Sequence, residues 1–360
     1  MKSRQYRRSV QNKLVIGAPL KEWIQSFWYR DEKPPLLLRG FALIFQTIVV
    51  MRRWAYKLHL LRVYRPPVLV VVVGNINVGG TGKTPATTWV VQMLKKAGFN
   101  PAIVSRGYGG RAIHWPQQVR PDSDPEVVGD EAILLARRCQ VPMAVGPNRK
   151  LAIQELLKHT SINVIVMDDG LQHYAVARDI EIAVIDGQRR FGNGHCLPAG
   201  PLREPLSRLR KTHFLVNNGG DPKDAEFPML LTIDKVVNVA DPSQQRTLES
   251  FNDTPVHAVA GIGNPQRFFR QLTAFGLQVA PHSFPDHHAF EPEDLAFNDS
   301  NPILMTEKDA VKCERFAAGH YWYVTVDAKL PSEFEQQLLD ALYRCITGRK
   351  NKWTVNYSPS

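Results

Sequence analysis

The sequence predicts an α/β protein with a parallel β-sheet covered by helices, a smaller second α/β domain and an amphipathic helix near the N-terminus. Three observations predict this class. Apolar runs of strand length alternate with stretches of helical periodicity, as they do in βαβ units. The chain of 360 residues exceeds the usual size of one domain. A longer apolar run, at residues 36–51, stands apart from this alternation.

Composition indicates a folded, basic protein. Hydrophobic residues make up 44% of the chain and charged residues 22%, which is typical of globular proteins and excludes wholesale disorder. The formal net charge of +11 favours a polyanionic partner such as anionic lipid, a phosphorylated substrate or nucleic acid. Because no aromatic and basic motif for single strands is visible, we expect no nucleic-acid partner. The four cysteines form no C-x-x-C pair, so they predict neither zinc nor a disulfide framework.

Residues 1–62 are predicted to form a basic arm and a membrane-associated helix. The apolar run at 36–51 is too short to span, since sixteen helical residues at about 1.5 Å each do not cross about 30 Å of hydrocarbon. Arg39, Gln46 and Arg53 recur every seven residues and give the helix one polar stripe. This pattern predicts a helix at an anionic membrane surface, and a helix packed on the protein core is the alternative. Basic residues flank the run on both sides: Lys2, Arg4, Arg7, Arg8, Lys13, Arg52, Arg53, Lys57, Arg62 and Arg65.

Residues 63–222 are predicted to form the core domain. Its first strand, at 68–73, contains no polar residue, which indicates burial on both faces of a parallel sheet. The polar segment 218–226 predicts a linker to the next domain. Further strands are expected at 102–105, 142–145, 163–167, 181–186 and 214–217, and helices at 84–97, 130–139 and 149–159.

Residues 223–347 are predicted to form the smaller α/β domain, and residues 348–360 a polar tail. The expected elements are strands at 256–260, 303–305 and 321–326, with helices at 265–275 and 333–345.

The strongest chemical signal is the sequence GNINVGGTGKTP at residues 74–85, between a predicted strand and a predicted helix. Glycines allow backbone N–H groups to approach an anion at a helix N-terminus. In such a P-loop, Lys83 would reach the β and γ phosphates of ATP and Thr84 would bind Mg²⁺. Asn77 occupies the first glycine position of the pattern, and the alternative is a glycine-rich turn with an incidental lysine. The predicted nucleotide-binding residues are Asn77, Val78, Gly79, Gly80, Thr81, Gly82, Lys83 and Thr84.

A second signal is NVIVMDDGLQH at residues 163–173, where two acids follow an apolar strand. Open α/β sheets place their ligands at the carboxyl ends of strands, and a P-loop protein needs an acid there for Mg²⁺. We expect Asp168 or Asp169 to supply it. An ordinary strand-to-turn sequence is the alternative.

Four further sites are chemically ambiguous from the sequence pattern alone. Asp130 and Glu131 begin a helix, where acids are also favoured for structural reasons. Arg106 in SRGYGG marks either a tight turn or a loop beside phosphates. Arg203 either clamps an anion or lies on a solvated turn. His287 in FPDHH is a base, a ligand or an ordinary loop residue.

Seven motifs, in order along the chain, resemble the tetraacyldisaccharide 4'-kinase family, which completes the phosphorylation of the lipid A precursor. They are GNINVGGTGKTP, SRGYGG, VGDEAILLARR, DDGLQH, GNGHCLPAGPLREPL, FPDHH and MTEKDAVK. The resemblance implies an ATP- and Mg²⁺-dependent phosphotransferase acting on the 4'-hydroxyl of a tetraacylated glucosamine disaccharide 1-phosphate. It also implies a peripheral or monotopic protein on the cytoplasmic face of the inner membrane, and we expect a monomer.

The resemblance also implies roles for individual residues. Asp130, tied to His287 or to the adjacent His288, would help to activate the acceptor hydroxyl, and Glu131 would contribute to the Mg²⁺ environment. Lys83 and Arg203 are expected to support phosphate transfer. Expected metal-binding residues are Thr84, Glu131, Asp168 and Asp169, and expected substrate-binding residues are Arg106, Gln172 and His173.

Two other classes of function fit the motifs. A P-loop NTPase that hydrolyses nucleotide to drive a partner needs no acceptor-binding domain, so nucleotide turnover without lipid would favour it. A membrane adaptor whose loop binds an anion only for structure would consume no ATP.

Overall fold

The computed structural model describes residues 18–29 and 32–350, which fall into two compact units. The first unit contains the described residues up to Trp54, together with 76–78 and 189–210. The second contains residues 55–75, 79–188 and the described chain from Lys211 onward. The predicted basic residues Lys2, Arg4, Arg7, Arg8 and Lys13 and the tail residues 351–360 lie outside the described residues.

Two helices begin in the first unit, α1 (Ala18–Tyr29) and α2 (Leu36–Lys57), and the residues of α2 after Trp54 belong to the second unit. α2 extends the predicted run by six residues. None of the helices in the described part of the chain is long and apolar enough to cross a membrane, in line with the expected length. Ala42 is the one buried residue reported within α2. Its apolar side chains are instead exposed, with exposed fractions from 50 to 79%: Leu36, Leu37, Phe41, Leu43, Ile44, Ile48, Met51 and Trp54.

The segment 189–210 provides the small core of the first unit and holds α1. Ile76, Cys196 and Leu202 form a buried apolar cluster. The indole N–H of Trp28 on α1 donates to the carbonyl oxygen of Pro198 at 3.0 Å. These contacts attach α1 to a segment that lies far away in sequence.

The second unit contains one large, mostly parallel sheet. Its strand order is β11-β10-β12-β13-β8-β7-β6-β1-β5-β2-β4-β3, with β9 paired to β8. The strands are β1 (Leu69–Gly74), β2 (Pro101–Ser105), β3 (Gln117–Gln118), β4 (Met143–Val145), β5 (Val164–Asp168), β6 (Ile180–Asp186), β7 (Phe214–Asn218), β8 (Glu226–Asn238), β9 (Gln245–Arg246), β10 (Val256–Ala260), β11 (Val279–Ser283), β12 (Ile303–Thr306) and β13 (Tyr321–Lys329). The antiparallel pairs are β3 with β4, β8 with β9 and β8 with β13.

Helices connect these strands, and local side chains define where several of them begin. The Asn148 side chain accepts a hydrogen bond from the N–H of Leu151, and the Thr306 side chain accepts one from Asp309, so both residues act as N-caps. The helices are α3 (Lys83–Lys96), α4 (Pro125–Val128), α5 (Asp130–Cys139), α6 (Arg149–His159), α7 (Pro265–Ala274), α8 (Glu307–Cys313) and α9 (Ser332–Lys350).

The main core surrounds β1, whose six residues are all buried as their apolar sequence predicts. Residues of α3 and α5 pack against the same cluster as the strands. The last helix, α9, adds Phe334, Leu338 and Leu342 to this cluster. The end of the chain therefore completes the core that begins with β1.

The predicted mixed α/β architecture with a parallel sheet is confirmed, but the sequence analysis overlooked β8. The predicted linker at 218–226 is the short connection between β7 and β8. β8 pairs in parallel with β7 and then antiparallel with β13, so one sheet continues across residue 222. The division into domains at that residue stays a prediction.

Candidate active site

The glycine-rich segment lies where β1 ends at Gly74 and α3 begins at Lys83, as predicted. Gly82 has a φ of 91°, a conformation that favours glycine. A Cβ at this position would lie 2.2 Å from Nδ2 of Asn218. That same Nδ2 donates to the carbonyl oxygen of Thr81 at 2.9 Å. The loop is therefore fixed by a close approach that only glycine permits.

The beginning of the loop is held by Asn75 and by the DDGLQH segment. Nδ2 of Asn75 donates to Oγ1 of Thr81 at 3.0 Å. Nε2 of Gln172 donates to the carbonyl oxygen of Asn75 at 2.9 Å. The N–H of His173 donates to the carbonyl oxygen of Gly170 at 2.9 Å, which closes the turn after β5. Gln172, predicted to bind substrate, thus contacts the phosphate-binding loop.

Asn77 and Val78 belong to the first unit and are held by its segment 189–210. Nδ2 of Asn77 donates to the carbonyl oxygen of Arg190 at 2.7 Å. The N–H of Val78 donates to the carbonyl oxygen of Pro201 at 2.8 Å. An asparagine at the first glycine position therefore has a structural reason, since its side chain anchors the loop to a neighbouring segment.

Arg203 lies in the same segment, next to a buried ion pair. Its backbone N–H donates to the carbonyl oxygen of Ile76 at 2.6 Å. Nε of Arg208 lies 3.7 Å from Oε2 of Glu204, and both side chains are almost fully buried. The backbone that carries Arg203 is thus well anchored.

Asp168 ends β5 and is a buried acid among other acids. Its Oδ1 accepts a hydrogen bond from Oγ1 of Thr87 at 2.9 Å, and its Oδ2 accepts one from Oγ of Ser105 at 3.2 Å. Burial, together with the nearby charges of Glu131 and Asp169, raises the pKa of Asp168 to about 6. This cluster of negative charge is suited to a cation.

Asp169 follows in a left-handed conformation with a φ of 46°. Its Oδ1 lies 3.8 Å from Nζ of Lys83, so the P-loop lysine and the strand-end acid share one site. The buried guanidinium group of Arg149 donates to the carbonyl oxygens of both Asp168 and Asp169, each at 3.3 Å. Arg149 was not among the predicted site residues. Its position at the start of α6, directly after β4, could have indicated that it lies near the carboxyl ends of the strands.

The residues around Asp168 fit Mg²⁺ bound jointly by protein and nucleotide. No group of three or more His, Cys, Asp or Glu side chains within residues 18–29 and 32–350 could hold a metal alone. Mg²⁺ usually takes one or two carboxylates together with phosphate oxygens and waters. Burial and, after it, the charges of Glu131 and Asp169 raise the pKa of Asp168, and a bound cation would relieve the repulsion among these acids.

His287 contacts Asp130 across a sequence separation of 157 residues. Nδ1 of His287 lies 3.2 Å from Oδ2 of Asp130, whose Oδ1 accepts a hydrogen bond from the N–H of Glu131 at 2.8 Å. His288 turns elsewhere, because its Nε2 lies 2.8 Å from Oδ2 of Asp294. The structure therefore makes His287 the contact of Asp130 and answers the question that the sequence left open.

The protonation of this pair favours an ionised carboxylate. Burial raises the pKa of Asp130, but the hydrogen bond to His287 and the charges of Lys308, His287 and Lys312 outweigh it, so the pKa lies below its ordinary value. The hydrogen bond to Asp130 raises the pKa of His287 despite burial and the nearby Lys308. At neutral pH, Asp130 can thus accept a hydrogen bond or a proton from a hydroxyl group.

Lys308, which the sequence analysis did not single out, lies beside this pair. Its Nζ is 2.9 Å from Oε1 of Glu131, 3.2 Å from Oδ1 of Asp286 and 3.4 Å from Nε2 of His287. Burial lowers the pKa of its ammonium group, but the charges of Glu131, Asp130 and Asp286 outweigh burial, and the pKa lies above its ordinary value. Its place in the MTEKDAVK motif could have indicated a role at the site.

The SRGYGG loop borders the same pair. The ring of Tyr108 lies 5.0 Å from the ring of His287, measured between centroids. A Cβ at Gly129 would lie 2.4 Å from the carbonyl oxygen of Tyr108, so the loop packs closely against the residue that precedes Asp130. Arg106 is exposed in this loop, where it can meet a ligand or solvent.

Comparisons with known proteins match this chain to the tetraacyldisaccharide 4'-kinases. The family model described as tetraacyldisaccharide-1-P 4'-kinase matches residues 35–343. A tetraacyldisaccharide 4'-kinase of Nitrosococcus oceani is 52% identical over 91% of this chain and 96% of its own length. One from Methylobacillus flagellatus is 46% identical over 91% of this chain and 98% of its own length.

A solved structure, that of LpxK from Aquifex aeolicus in complex with ATP, has a similar fold. Its TM-score is 0.72 and its sequence identity 26%, and the match covers 85% of this chain and 97% of that one.

Proposed function

This chain belongs to the tetraacyldisaccharide-1-phosphate 4'-kinase family, and we propose that it performs the corresponding reaction in lipid A biosynthesis. It transfers the γ-phosphate of ATP to the 4'-hydroxyl of a tetraacylated glucosamine disaccharide 1-phosphate. The observation that carries the proposal is the 3.2 Å contact between His287 and Asp130, which supplies an activating group for a hydroxyl acceptor in addition to the P-loop.

ATP would bind at the P-loop of this chain, and the LpxK structure from Aquifex aeolicus is a complex with ATP. The backbone N–H groups of residues 79–83 would surround the phosphates at the start of α3, and the ammonium group of Lys83 would contact the β and γ phosphates. Asn77 and Val78 would position the first part of this loop through segment 189–210. Arg203 stays our proposed anion-binding residue.

The acceptor hydroxyl would be activated by Asp130. As the bond between O4' and the γ-phosphorus forms, the bond from that phosphorus to the bridging oxygen breaks and ADP leaves. The carboxylate of Asp130 accepts the hydroxyl proton, and His287 orients the carboxylate and stabilises its charge. Arg106, Gln172 and His173 remain our proposed contacts for the substrates.

Mg²⁺ is part of the proposal. Thr84, Glu131, Asp168 and Asp169 would hold it, directly or through water, together with phosphate oxygens. Bound there, the ion would neutralise charge on the transferring phosphate group. Glu131 contacts Lys308 at 2.9 Å, so this acid would serve both the metal environment and the Asp130 site.

Association with the inner membrane at its cytoplasmic face is proposed from α2. The exposed apolar side chains of α2 favour membrane contact over the alternative of a helix packed in a core. A lipid acceptor supplies the reason for such a surface, because the enzyme must reach acyl chains embedded in a bilayer.

A direct assay tests the function. The protein is mixed with Mg²⁺, ATP labelled in its γ-phosphate and a monophosphorylated tetraacyl disaccharide, and lipid-bound label is measured. We expect label on the lipid, loss of transfer in Lys83→Ala, and retention in Lys158→Ala, which removes an exposed lysine paired with Glu155. Rapid ADP formation that does not depend on lipid, with no labelled lipid, would instead support an NTPase.

A further inference from the structure

We infer that Lys308 is a positioning residue that fixes the tautomer and the orientation of His287 toward Asp130. The inference rests on the proposed function and deepens it. Lys308 belongs to the MTEKDAVK motif, which contributed to the family resemblance without receiving a role. Its side chain is 13% exposed, so its ammonium group is committed to the groups that surround it.

The contacts of Lys308 determine which nitrogen of His287 carries the proton. An ammonium group has hydrogen-bond donors and no acceptor. Nε2 of His287 lies 3.4 Å from Nζ of Lys308 and 3.8 Å from Oδ1 of Asp286. In the neutral ring, a lone pair on Nε2 suits the shorter contact, which is the one with the ammonium group. The proton of neutral His287 then lies on Nδ1 and is donated to Oδ2 of Asp130 at 3.2 Å. The other tautomer would place an N–H group against the ammonium and a lone pair against the carboxylate.

His287 and Asp309, the residue after Lys308, both bond to the backbone of Gly261, which directly follows β10. The N–H of His287 donates to the carbonyl oxygen of Gly261 at 3.3 Å. The N–H of Gly261 donates to Oδ2 of Asp309 at 2.9 Å, and Asp309 is the buried neighbour of Lys308. Oγ1 of Thr306 donates to the same Oδ2 at 2.6 Å. The lysine and the histidine are thus held in one rigid arrangement.

Two carboxylates hold the ammonium group in place. Nζ of Lys308 contacts Oε1 of Glu131 at 2.9 Å and Oδ1 of Asp286 at 3.2 Å. Lys308 thus contacts His287 directly and contacts Glu131, the residue that follows Asp130. Removal of the ammonium would free the His287 ring to take the other tautomer and would weaken its hold on Asp130.

Kinetics of Lys308→Met test the inference. Groups that orient a reacting residue typically contribute about ten- to a hundredfold, and we expect kcat to fall within that range while KM for ATP changes by less than about twofold. In a His287→Ala background, Lys308→Met should have almost no further effect, because the residue through which it acts is gone. Lys158→Met is the control for loss of a paired lysine and should leave kcat unchanged.

Three kinetic outcomes would overturn the inference. They are an unchanged kcat in Lys308→Met, full additivity with His287→Ala, and a loss that excess Mg²⁺ repairs. The last outcome would assign Lys308 to the environment of Glu131 instead. Failure of the wild-type protein to label lipid would reject the proposed function itself, which separates the two failures.

NMR provides a readout that is independent of activity. Nitrogen-15 chemical shifts of the His287 ring distinguish its tautomers. Because the hydrogen bond to Asp130 raises the pKa of His287, the spectra are recorded over a series of rising pH until the ring is neutral. We expect the Nδ1-protonated tautomer in the wild-type protein and an increase of the Nε2-protonated tautomer in Lys308→Met. A wild-type ring protonated on Nε2, or a tautomer unaffected by the substitution, would contradict the inference.

Discussion

At the scale of single residues, the ionised carboxylate of Asp168 lowers the stability of the fold at a position where we propose that Mg²⁺ binds. Asp168 is a fully buried carboxyl group whose neighbours include the acids Glu131 and Asp169. Its folded pKa of about 6 exceeds the ordinary value of 3.8, so the folded protein binds this proton more tightly than the unfolded chain does. The ionised group therefore destabilises the fold above pH 6. This cost disappears as the pH falls from about 6 toward about 4, where the group is protonated in both states.

We predict that Asp168→Asn stabilises the nucleotide-free protein and impairs its activity. An asparagine carries no charge; its one oxygen can accept the hydrogen bond of Thr87, and its amide nitrogen can donate to the hydroxyl oxygen of Ser105. Since each pKa unit corresponds to about 1.4 kcal/mol, the gain at neutral pH should be about 1–3 kcal/mol. Denaturant unfolding with EDTA at pH 7.5 and at pH 4.5 measures it. A gain of equal size at both pH values would show that charge is not its source.

Asp130 and His287 are expected to act as one unit. Asp130→Asn and His287→Ala should each lower kcat by about a hundredfold to ten-thousandfold, the usual contribution of a positioned base, with little change in ATP affinity. The double variant should be no worse than the poorer single variant, because each residue acts through the other. His288→Ala is the matched control, since His288 contacts Asp294. Additive losses, or an inactive His288→Ala with an active His287→Ala, would reject this assignment.

At the scale of elements, α2 presents a continuous apolar face. Leu37, Phe41, Ile44, Ile48 and Met51 follow one another at helical spacing and are all exposed. Folded proteins rarely leave such a stripe exposed to water. The stripe therefore indicates a surface that binds a membrane or another protein.

We predict that the double substitution Ile44→Glu and Ile48→Glu releases the protein from membranes. Burying each isoleucine contributes up to about 1.5–3 kcal/mol, so the partition coefficient into vesicles of anionic and zwitterionic lipid should fall at least about tenfold. Sedimentation with vesicles measures it. Leu151→Glu, which alters an exposed leucine on α6, is the control. If the double variant sediments with vesicles as the wild-type protein does, α2 does not bind the membrane, and the alternative of a helix packed on protein is favoured.

Elements with strong local signals were predictable, and contacts between distant elements were not. β1, the P-loop and α3 follow from an apolar run, a set of glycines and a helical period, all local in sequence. β8 lacks a clear alternation of apolar and polar residues and includes Pro228, and its pairing with β7 and β13 stabilises it instead. The contact of Asp130 with His287 depends on how the sheet places β10 and α5, which spacing does not encode.

At the scale of the whole molecule, the core around β1 depends on the end of the chain. Phe334 of α9 is fully buried and contacts the rings of Trp89, Phe214 and Phe227, with centroid distances of 5.4, 5.4 and 5.1 Å. These three residues lie on α3, β7 and β8. A fragment limited to the predicted core domain, 63–222, would lack both Phe334 and Phe227. The core of the P-loop region thus includes residues from beyond the predicted boundary.

We therefore predict that Phe334→Ala destabilises the protein by about 3–5 kcal/mol, the usual cost of removing a buried phenylalanine side chain. The substitution shortens a side chain that packs on the same core as β1. ATP binding should therefore be lost in the same unfolding transition as secondary structure. Denaturant unfolding monitored by circular dichroism and by a fluorescent nucleotide measures both. Phe275→Ala, which removes a half-exposed ring just after α7, should cost less than about 1 kcal/mol. If nucleotide binding in Phe334→Ala persists to wild-type denaturant concentrations while other signals shift, the P-loop core folds independently of α9.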